Sequence, residues 1–313
     1  MAALNPRYRT LLAILALIIL PGLVMPSTFY YRIGALVFIS AVAVIGINLL
    51  MGYAGQVSLG HAGFFAIGGY ACAILPVRYG IDPLLAALIG VVLAGLLAFA
   101  VGRPILRLRG HYLAVATLGL GLLIGLVLTN EVWLTGGPDG MQVPRASVFG
   151  VRLRSAEHWY WISGAVLFLA AWIAANLFDS PTGRALRALR DSLVAAEVMG
   201  IRAARYKLIV FVLSAVYAAV AGAMLALFNG LVTPDNASFL HSVELVTMVV
   251  IGGMGSLIGS IVGAAVLVIL PQVLTVFHEY ETLLLGVLII LFMLFLRQGI
   301  APGIAALFKR RPA

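Results

Sequence analysis

Charged residues and cysteine are both scarce in this chain. Only 10% of its 313 residues are charged and 63% are hydrophobic, whereas soluble domains carry about 25% charged residues. A soluble fold of this size could not cover its core with so few charges, so we expect lipid to be the solvent for most of the chain. The single cysteine, Cys72, excludes an internal disulfide and a cysteine-clustered metal site. We interpret it as a small packing residue.

Sequence motifs of nucleotide-binding and catalytic sites are missing as well. The two lysines, Lys207 and Lys309, do not follow glycine, so the sequence has no GxxxxGK[ST] phosphate loop and the chain cannot itself be a P-loop ATPase. No hydrophobic span places Asp or Glu at mid-depth, which weighs against a proton-coupled carrier and leaves sodium bound by backbone carbonyls open. Paired carboxylates, an HExxH motif and a nucleophile with its base are absent too. The sequence therefore predicts that the chain is not an enzyme and binds no metal or cofactor of its own.

The basic excess is not arranged for nucleic acid. The net charge is +9, but the charges fall in short clusters, and the longest uncharged run extends from Ile33 to Val77. No basic stripe with interleaved aromatic residues is present, as a nucleic-acid surface would require. We predict no nucleic-acid partner and interpret the charges as a signal of membrane topology.

Hydrophobic runs long enough to cross a bilayer recur along the chain, since a crossing helix needs about 20 apolar residues. A last region, Val243–Leu296, is long enough for three crossings and breaks at Gly252–Ser256 and Phe277–Glu281. The runs before it are Leu11–Leu20, Ile33–Leu50, His61–Val77, Pro83–Val101, Tyr112–Asn130, Trp159–Phe178 and Leu208–Leu231. No small-x-small cleavage site follows the first run, so we expect an uncleaved span. The prediction is an all-α, polytopic membrane protein, with one transmembrane domain over residues 1–313 and about ten helices.

Basic residues predict the sidedness, because loops on the cytoplasmic side carry an excess of Lys and Arg. With the N-terminus inside and ten crossings, fifteen of the 20 basic residues lie inside and eight of the 11 acidic residues lie outside. Three crossings in the last region, rather than two, keep the C-terminal basic cluster inside. The predicted topology has both termini inside, a periplasmic loop at 131–158 and a cytoplasmic loop at 179–207.

Glycine and uncharged polar residues concentrate in Asn48–Tyr70 and again in Ile251–Ala264. Irregular backbone at membrane depth survives only where it is buried in protein or lines a water-filled path. Paired interruptions in the two halves of a transporter indicate a substrate path. The predicted path residues are Asn48, Gly52, Gly55, Gln56, Ser58, Gly60, His61, Gly252, Gly253, Gly255 and Ser256.

Helix packing without a path is the alternative for both segments. The spacing Gly255–Gly259–Gly263 is a small-residue ridge that lets helices approach closely, so packing explains the second segment well. It explains the first less well, because packing does not require several polar side chains. His61 alone fits a hydrogen-bonded structural residue better than a proton carrier.

The cytoplasmic loop Asp179–Lys207 has the pattern of a short capped helix. Ser180 or Thr182 can cap a helix that begins near Gly183, and Gly200 is a natural helix stop. We predict a docking element for a cytoplasmic partner. Positive-inside charge is the alternative, which explains the arginines but not the Ala-Ala-Glu-x-x-Gly turn. The predicted coupling residues are Arg184, Arg187, Arg190, Ala195, Ala196, Glu197 and Gly200.

Four passages resemble the LivM-type permeases of bacterial branched-chain amino-acid ABC importers. They are Gly52–Tyr70 (GYAGQVSLGHAGFFAIGGY), Arg107–Gly119 (RLRGHYLAVATLG), Gly183–Ser214 (GRALRALRDSLVAAEVMGIRAARYKLIVFVLS) and Glu244–Ala264 (ELVTMVVIGGMGSLIGSIVGA). The outer-loop sequence LTGGPDGM at Leu134–Met141 is similar to the T-G-G-x-x-G turn of that family. The resemblance runs roughly from residue 33 to residue 275.

This resemblance implies an inner-membrane permease that works by alternating access and is powered by other subunits. The implied partners are a LivH-like second permease, two cytoplasmic ATP-binding subunits that use the ATP, and a periplasmic substrate-binding protein, all around a chain embedded in membrane lipid. It also implies that Ala195, Ala196, Glu197 and Gly200 contact an ATPase. Branched-chain or other hydrophobic amino acids are the expected solutes. Urea, short amides or aromatic compounds, which related permeases handle, stay open, as does an ion-coupled carrier.

Overall fold

Helices form most of the chain that the computed structural model describes, which is residues 6–108, 110–148, 151–152 and 155–274 with the single positions 286, 290, 299, 300 and 303. The α-helices are α1 (Pro6–Val24), α2 (Thr28–Asn48), α3 (His61–Tyr79), α4 (Pro83–Ile105), α5 (His111–Asn130), α6 (Val132–Thr135), α7 (Ala156–Asp179), α8 (Pro181–Asp191), α9 (Leu193–Val198), α10 (Ala203–Asn229), α11 (Phe239–Gly252) and α12 (Leu257–Leu274). A π-helical turn, Leu49–Tyr53, extends α2, and short 3₁₀ turns lie at Gly137–Asp139 and Pro234–Ala237.

Six of the described helices are long and apolar enough to cross a membrane: α2 with its π turn, α3, α4, α5, α7 and α10. Three further apolar helices, α1, α11 and α12, are shorter. The predicted all-α, multi-pass architecture is confirmed, and α11 ends and α12 begins on either side of the predicted break at Gly252–Ser256. The predicted break at Phe277–Glu281, the third crossing after Val243 and the C-terminal basic cluster lie outside the described residues.

Local sequence signals explain where several helices begin and end. Asp82 caps α4, because its Oδ1 accepts hydrogen bonds from the amides of Leu84 at 2.8 Å and Leu85 at 3.4 Å, and Pro83 supplies the fixed φ of a first helical residue. The preceding helix, α3, ends before Gly80, which has a φ of +66°.

The core forms around α2, which packs against α7, α10, α11 and α12, while α10 packs most closely against α3. Glycines make that last contact close. A Cβ on Gly68 would overlap the backbone of Ala219, and one on Gly222 would overlap the backbone of Phe65. Small residues at such crossings maximise van der Waals contact, which is the main attraction between helices in lipid.

Short strands organise the 131–158 loop. β1 (Met141–Gln142) pairs antiparallel with β4 (Leu231–Val232), and β2 (Ser147–Val148) pairs with β3 (Val151–Arg152). The β1–β4 pair joins this loop to the residues that follow α10. The loop after α5 and the C-terminal end of α10 therefore lie on the same side of the bundle, as the predicted topology requires.

Candidate functional site

The C-terminal end of α2 is hydrogen-bonded to the break between α11 and α12. Asn48 is buried, and its Nδ2 donates to the carbonyl of Ser256 at 3.0 Å and to Ser260 Oγ at 2.8 Å. Its Oδ1 accepts a hydrogen bond from the amide of Gly255 at 2.8 Å. The Asn48 side chain therefore satisfies the amide of Gly255, which the break leaves without a helical partner, and adds a second donor to the carbonyl of Ser256.

Tyr53 and Gly52 complete the same contact. The Tyr53 hydroxyl donates to the carbonyl of Gly255 at 2.9 Å. A Cβ on Gly52 would overlap Asn48 Oδ1 and would lie 2.5 Å from the Gly255 amide nitrogen, so only glycine fits there without displacement. We call Asn48, Gly52, Tyr53, Gly255 and Ser256 the glycine joint, because they connect the two interrupted segments of the chain.

The arginine-bearing helix α8 contacts the glycine joint directly. Arg190 Nη1 donates to the carbonyl of Gly52, and the Arg190 side chain also lies against Gly55, where a Cβ would be 3.3 Å from Arg190 Cγ. Gly255 lies close as well, since a Cβ there would be 3.9 Å from Arg190 Nη1. The segment that the sequence assigns to coupling and both predicted path segments therefore meet at one place.

The irregular segment 54–60 begins beside α8 and leads into α3, and hydroxyl groups from other helices accept from one backbone amide in it and from one in the first turn of α3. The amide of Leu59 donates to Thr117 Oγ1 of α5 at 3.1 Å, and the amide of Ala62 donates to Ser242 Oγ of α11 at 3.1 Å. A Cβ on Gly60 would overlap the carbonyl of Thr117. The part of the segment next to α3 is thus held inside the protein, which is the condition for non-helical backbone at membrane depth.

His61 is fully buried and anchors the start of α3. Its Nδ1 lies 2.8 Å from Ser58 Oγ and its Nε2 lies 2.7 Å from Ser214 Oγ of α10. Two neutral hydroxyl partners hold the ring between the irregular segment and α10. This geometry matches the structural role that the sequence favours for His61.

Side chains in segment 54–60 alternate between inside and outside. Gln56 and Ser58 are 4% and 2% exposed, whereas Val57 between them is 44% exposed and Gly55 is exposed. Gln56 Nε2 and Oε1 have no hydrogen-bond partner within the part of the chain that the structure describes. Burying an amide without hydrogen-bond partners costs about 1–3 kcal/mol. Among the predicted path residues, Gln56 is therefore the one whose side-chain amide is available to bind water or another molecule.

The glycine ridge of α12 packs against α11 within the same chain. A Cβ on Gly259 would lie 2.6 Å from the carbonyl of Gly252, and one on Gly263 would overlap the carbonyl of Met248. Gly253 and Gly255 have φ values of +114° and +81°, which L side chains rarely adopt. The ridge therefore serves helix packing, and the turn before it requires glycine for its backbone conformation.

The coupling segment forms two helices rather than one. Ser180 Oγ caps α8 by accepting from the Gly183 amide at 3.2 Å. Ser192, in extended conformation, ends α8 and caps α9 by accepting from the Ala195 amide at 3.3 Å. After α9, Gly200 adopts a φ of +82° and ends the helical segment. The sequence signals predicted the first cap and the stop, but not the corner at Ser192.

Residues at the tip of this segment are open to solvent. Val194, Val198 and Met199 are 70%, 81% and 81% exposed, and Ala195 and Glu197 are exposed beside them. Ala196 instead is buried and packs with Leu189 and Ala203. The tip thus presents an exposed apolar surface with one carboxylate.

The structure brings most predicted path residues into one of two places, the glycine joint or the start of α3. Residues that the sequence did not single out complete these places: Tyr53, Thr117, Ser214, Ser242 and Ser260. Single Ser or Thr residues in apolar helices carry little pattern of their own, and their partners lie far away in the sequence. The predicted coupling residues divide: Arg190 contacts the glycine joint, Arg184 donates to the carbonyl of Asp179 at 3.0 Å, and Glu197 lies at the tip.

A cavity of about 390 Å³ borders the glycine joint. Tyr53, Gly255 and Ser256 of the joint line it together with Phe178 and Arg187. Phe178 stacks on Tyr53 with ring centroids 3.7 Å apart. The joint therefore has open space beside it into which the loop before α12 can move.

Comparison with known proteins places these features in a family. Residues 30–293 match the model of the family described as branched-chain amino acid transport system, permease component. The chain is 35% identical over 294 residues to the high-affinity branched-chain amino acid transport system permease protein LivM of Escherichia coli, covering 86% of this chain and 69% of that protein. It is 28% identical over 288 residues to LivH of the same organism, covering 83% and 90%. The autoinducer 2 import system permease protein LsrC of Klebsiella pneumoniae is 31% identical over 173 residues, covering 52% and 48%.

The chain spans about two thirds of the length of LivM from Escherichia coli and from Salmonella typhimurium, 69% and 66% respectively. No solved structure matches it.

Proposed function

The chain belongs to the branched-chain amino acid transport permease family, and from this premise we propose that it translocates branched-chain or other hydrophobic amino acids as one subunit of an ABC importer. It is a multi-pass protein of the bacterial inner membrane, as supported by its relatives and by six helices among the described residues that are long and apolar enough to span. Its proposed partners are a LivH-like second permease, two cytoplasmic ATP-binding subunits and a periplasmic binding protein. Similarity to both LivM and LivH supports a permease pair of related chains.

One observation supports this function most strongly: Arg190 of α8 contacts Gly52 within the glycine joint. In an importer whose energy comes from separate ATPases, a cytoplasmic element must transmit their motion to the membrane helices. The exposed tip at Val194, Val198 and Met199 offers the ATPase an apolar surface, and Arg190 connects that element to α2.

The transmission that we propose follows the contacts in order. ATP-driven closure of the two ATPases displaces α9 and α8 as a unit. Arg190 carries this displacement to Gly52, and Asn48 and Tyr53 carry it to Gly255. The break between α11 and α12 then changes its angle, which opens or closes the path between outside and inside.

Gln56 gives the path a residue that can meet solute. An amino-acid zwitterion needs a few dipoles rather than full charges, and an amide supplies both a donor and an acceptor. Since Gln56 is buried without described partners, opening of segment 54–60 would give its polar atoms water or solute. Selectivity among solutes would reside mostly in the binding protein.

Reconstitution tests the proposal. The chain, the second permease, both ATPases and the binding protein are placed in proteoliposomes, and uptake of labelled leucine is measured with and without ATP. We expect uptake against the gradient only with ATP and with every subunit present. Uptake driven by an ion gradient in liposomes that hold this chain alone would refute it, and uptake of urea or a short amide in place of leucine would overturn the assigned solute class.

A further inference from the structure

A large groove lies between α4 and α10 at the end that the charge distribution assigns to the cytoplasm. Its volume is about 1020 Å³, above the usual range of about 300–1,000 Å³ for small-molecule sites. It is separate from the glycine joint, since the helices that line it are α4, α9 and α10.

The groove changes character along its length. Its membrane end is apolar and is formed by Phe99, Ile209, Val212, Leu213 and Val216. Phe99 and Ile209 are 42% and 40% exposed, so this part is accessible from the surface of the chain.

Its other end carries four cations and one carboxylate. These are Arg103, Arg107, Arg205, Lys207 and Glu197. Arg103 is held over the ring of Phe99, with its Cζ 4.4 Å from the ring centroid, so that its charge lies at the boundary between the apolar and the basic parts. The rim therefore keeps a clear positive excess.

The dimensions match one leaflet of a bilayer. The apolar part extends along α10 from Leu208 to Val216, which is about 12 Å of helix, against about 15 Å for half of a bilayer's hydrocarbon core. The basic rim begins at Lys207, one residue before this part. A molecule that fits must be anionic at one end and apolar over about one leaflet.

We propose that this groove binds an anionic phospholipid of the inner leaflet, with its phosphate at the basic rim and an acyl chain along Ile209–Val216. Basic pockets between membrane helices on the cytoplasmic side recognise acidic lipid headgroups in this way. A soluble anion would leave the apolar part unused. A protein helix would not by itself supply the negative charge that the rim requires.

The lipid would also touch the coupling segment. Leu193 and Glu197 of α9 form part of the groove wall, so the headgroup lies beside the helix that we propose docks on the ATPase. This regulatory consequence rests on the proposed function, whereas the lipid site itself does not.

Lipid binding is tested on the full purified chain after delipidation. The chain is titrated in detergent with phosphatidylglycerol or phosphatidylcholine of identical acyl chains, and bound lipid is measured by native mass spectrometry. We expect phosphatidylglycerol to be retained and phosphatidylcholine to be lost. Each basic residue near an anionic lipid strengthens binding by about fivefold, so Arg103→Gln with Lys207→Gln should weaken it by about 25-fold.

Two further variants separate the site from general charge and from folding. Arg9→Gln with Arg202→Gln removes the same charge from the predicted cytoplasmic side outside the groove and should leave lipid binding within twofold of the wild type. Ile209→Trp keeps every charge but fills the apolar part, and it should also abolish retention. Equal binding of the two lipids, or an equal loss in the Arg9 and Arg202 variant, would overturn the site.

The assembled importer provides the last measurement. A cysteine at Ile209 that cross-links efficiently to another subunit would overturn the lipid site, because the groove would then be a protein interface. If instead phosphatidylglycerol raises substrate-stimulated ATP hydrolysis in the wild type and not in the Arg103 and Lys207 variant, both the site and its regulatory role are supported. Retained lipid without any effect on hydrolysis would refute the regulatory role and leave the site standing.

Discussion

Replacing Arg190 tests whether the contact between α8 and the glycine joint couples ATP hydrolysis to transport. Arg190→Gln removes the charge and the donor that reaches the carbonyl of Gly52. A hydrogen bond to a charged group contributes about 1.5–3 kcal/mol, and we take about 1.5 kcal/mol because Arg190 is otherwise exposed. That value corresponds to about a tenfold change in the equilibrium that links the two elements.

The assay is the ratio of leucine taken up to ATP hydrolysed in proteoliposomes that contain the complete importer. We expect Arg190→Gln to lower this ratio about tenfold, while ATP hydrolysis itself continues, because the substitution leaves the proposed ATPase contact on α9 unchanged. Arg190→Lys keeps a point charge without the planar, multi-donor geometry of a guanidinium and should give an intermediate ratio. Arg202→Gln, which removes the same charge from the same loop, is the matched control.

Two results would refute the reasoning. If Arg190→Gln retained the wild-type ratio, the contact with Gly52 would carry no coupling. If Arg202→Gln lowered the ratio as much as Arg190→Gln, the effect would come from the positive charge of the loop. In that case the simple topological explanation of these arginines would be sufficient.

Three further variants probe the other parts of the site. Asn48→Leu removes three hydrogen bonds, worth about 0.6 kcal/mol each between membrane helices. The midpoint of thermal unfolding of the purified chain should therefore fall by about 3 °C, and an unchanged midpoint would contradict the role of Asn48 in the joint. Glu197→Lys with Gly200→Val should leave membrane insertion intact but lower substrate-stimulated ATP hydrolysis in the reconstituted importer, and full stimulation would remove the docking assignment. A cysteine at Gln56 should react with a small water-soluble thiol reagent faster during ATP turnover. A cysteine at Leu88, which is 60% exposed on the outer face of α4, should stay unreactive. Equal reaction rates at the two positions would favour helix packing without a path.

The spans could be predicted because each depends on a local property. A run such as Pro83–Val101 is apolar over the thickness of a bilayer whatever it packs against, and Asp82 with Pro83 is a cap that needs no distant partner. The break at Gly252–Ser256 could be predicted for the same reason, since glycines in such number cannot continue a stable helix. Local rules also located the cap at Ser180 and the stop at Gly200.

The contacts of the glycine joint could not be predicted, because they join residues that lie far apart in the sequence. Asn48 meets Gly255 across 207 positions and Arg190 meets Gly52 across 138. No periodicity within one helix encodes such pairs. The burial of Gln56 is a similar case, because its orientation depends on the irregular backbone of segment 54–60 and on the helices around it.

A bundle of helices in lipid has few places where it can bend at low cost, since every helical hydrogen bond that breaks must be replaced inside the protein. The glycine joint and segment 54–60 already use such replacements, because Asn48 accepts from the amide of Gly255 and Thr117 accepts from the amide of Leu59. A side-chain hydrogen bond can exchange its partner through rotation about single bonds, whereas a helical one requires the backbone to unwind. The interruptions are therefore the parts of the spans where two backbone conformations can differ by only a small free energy. Arg190 holds α8 against one of these interruptions, the glycine joint.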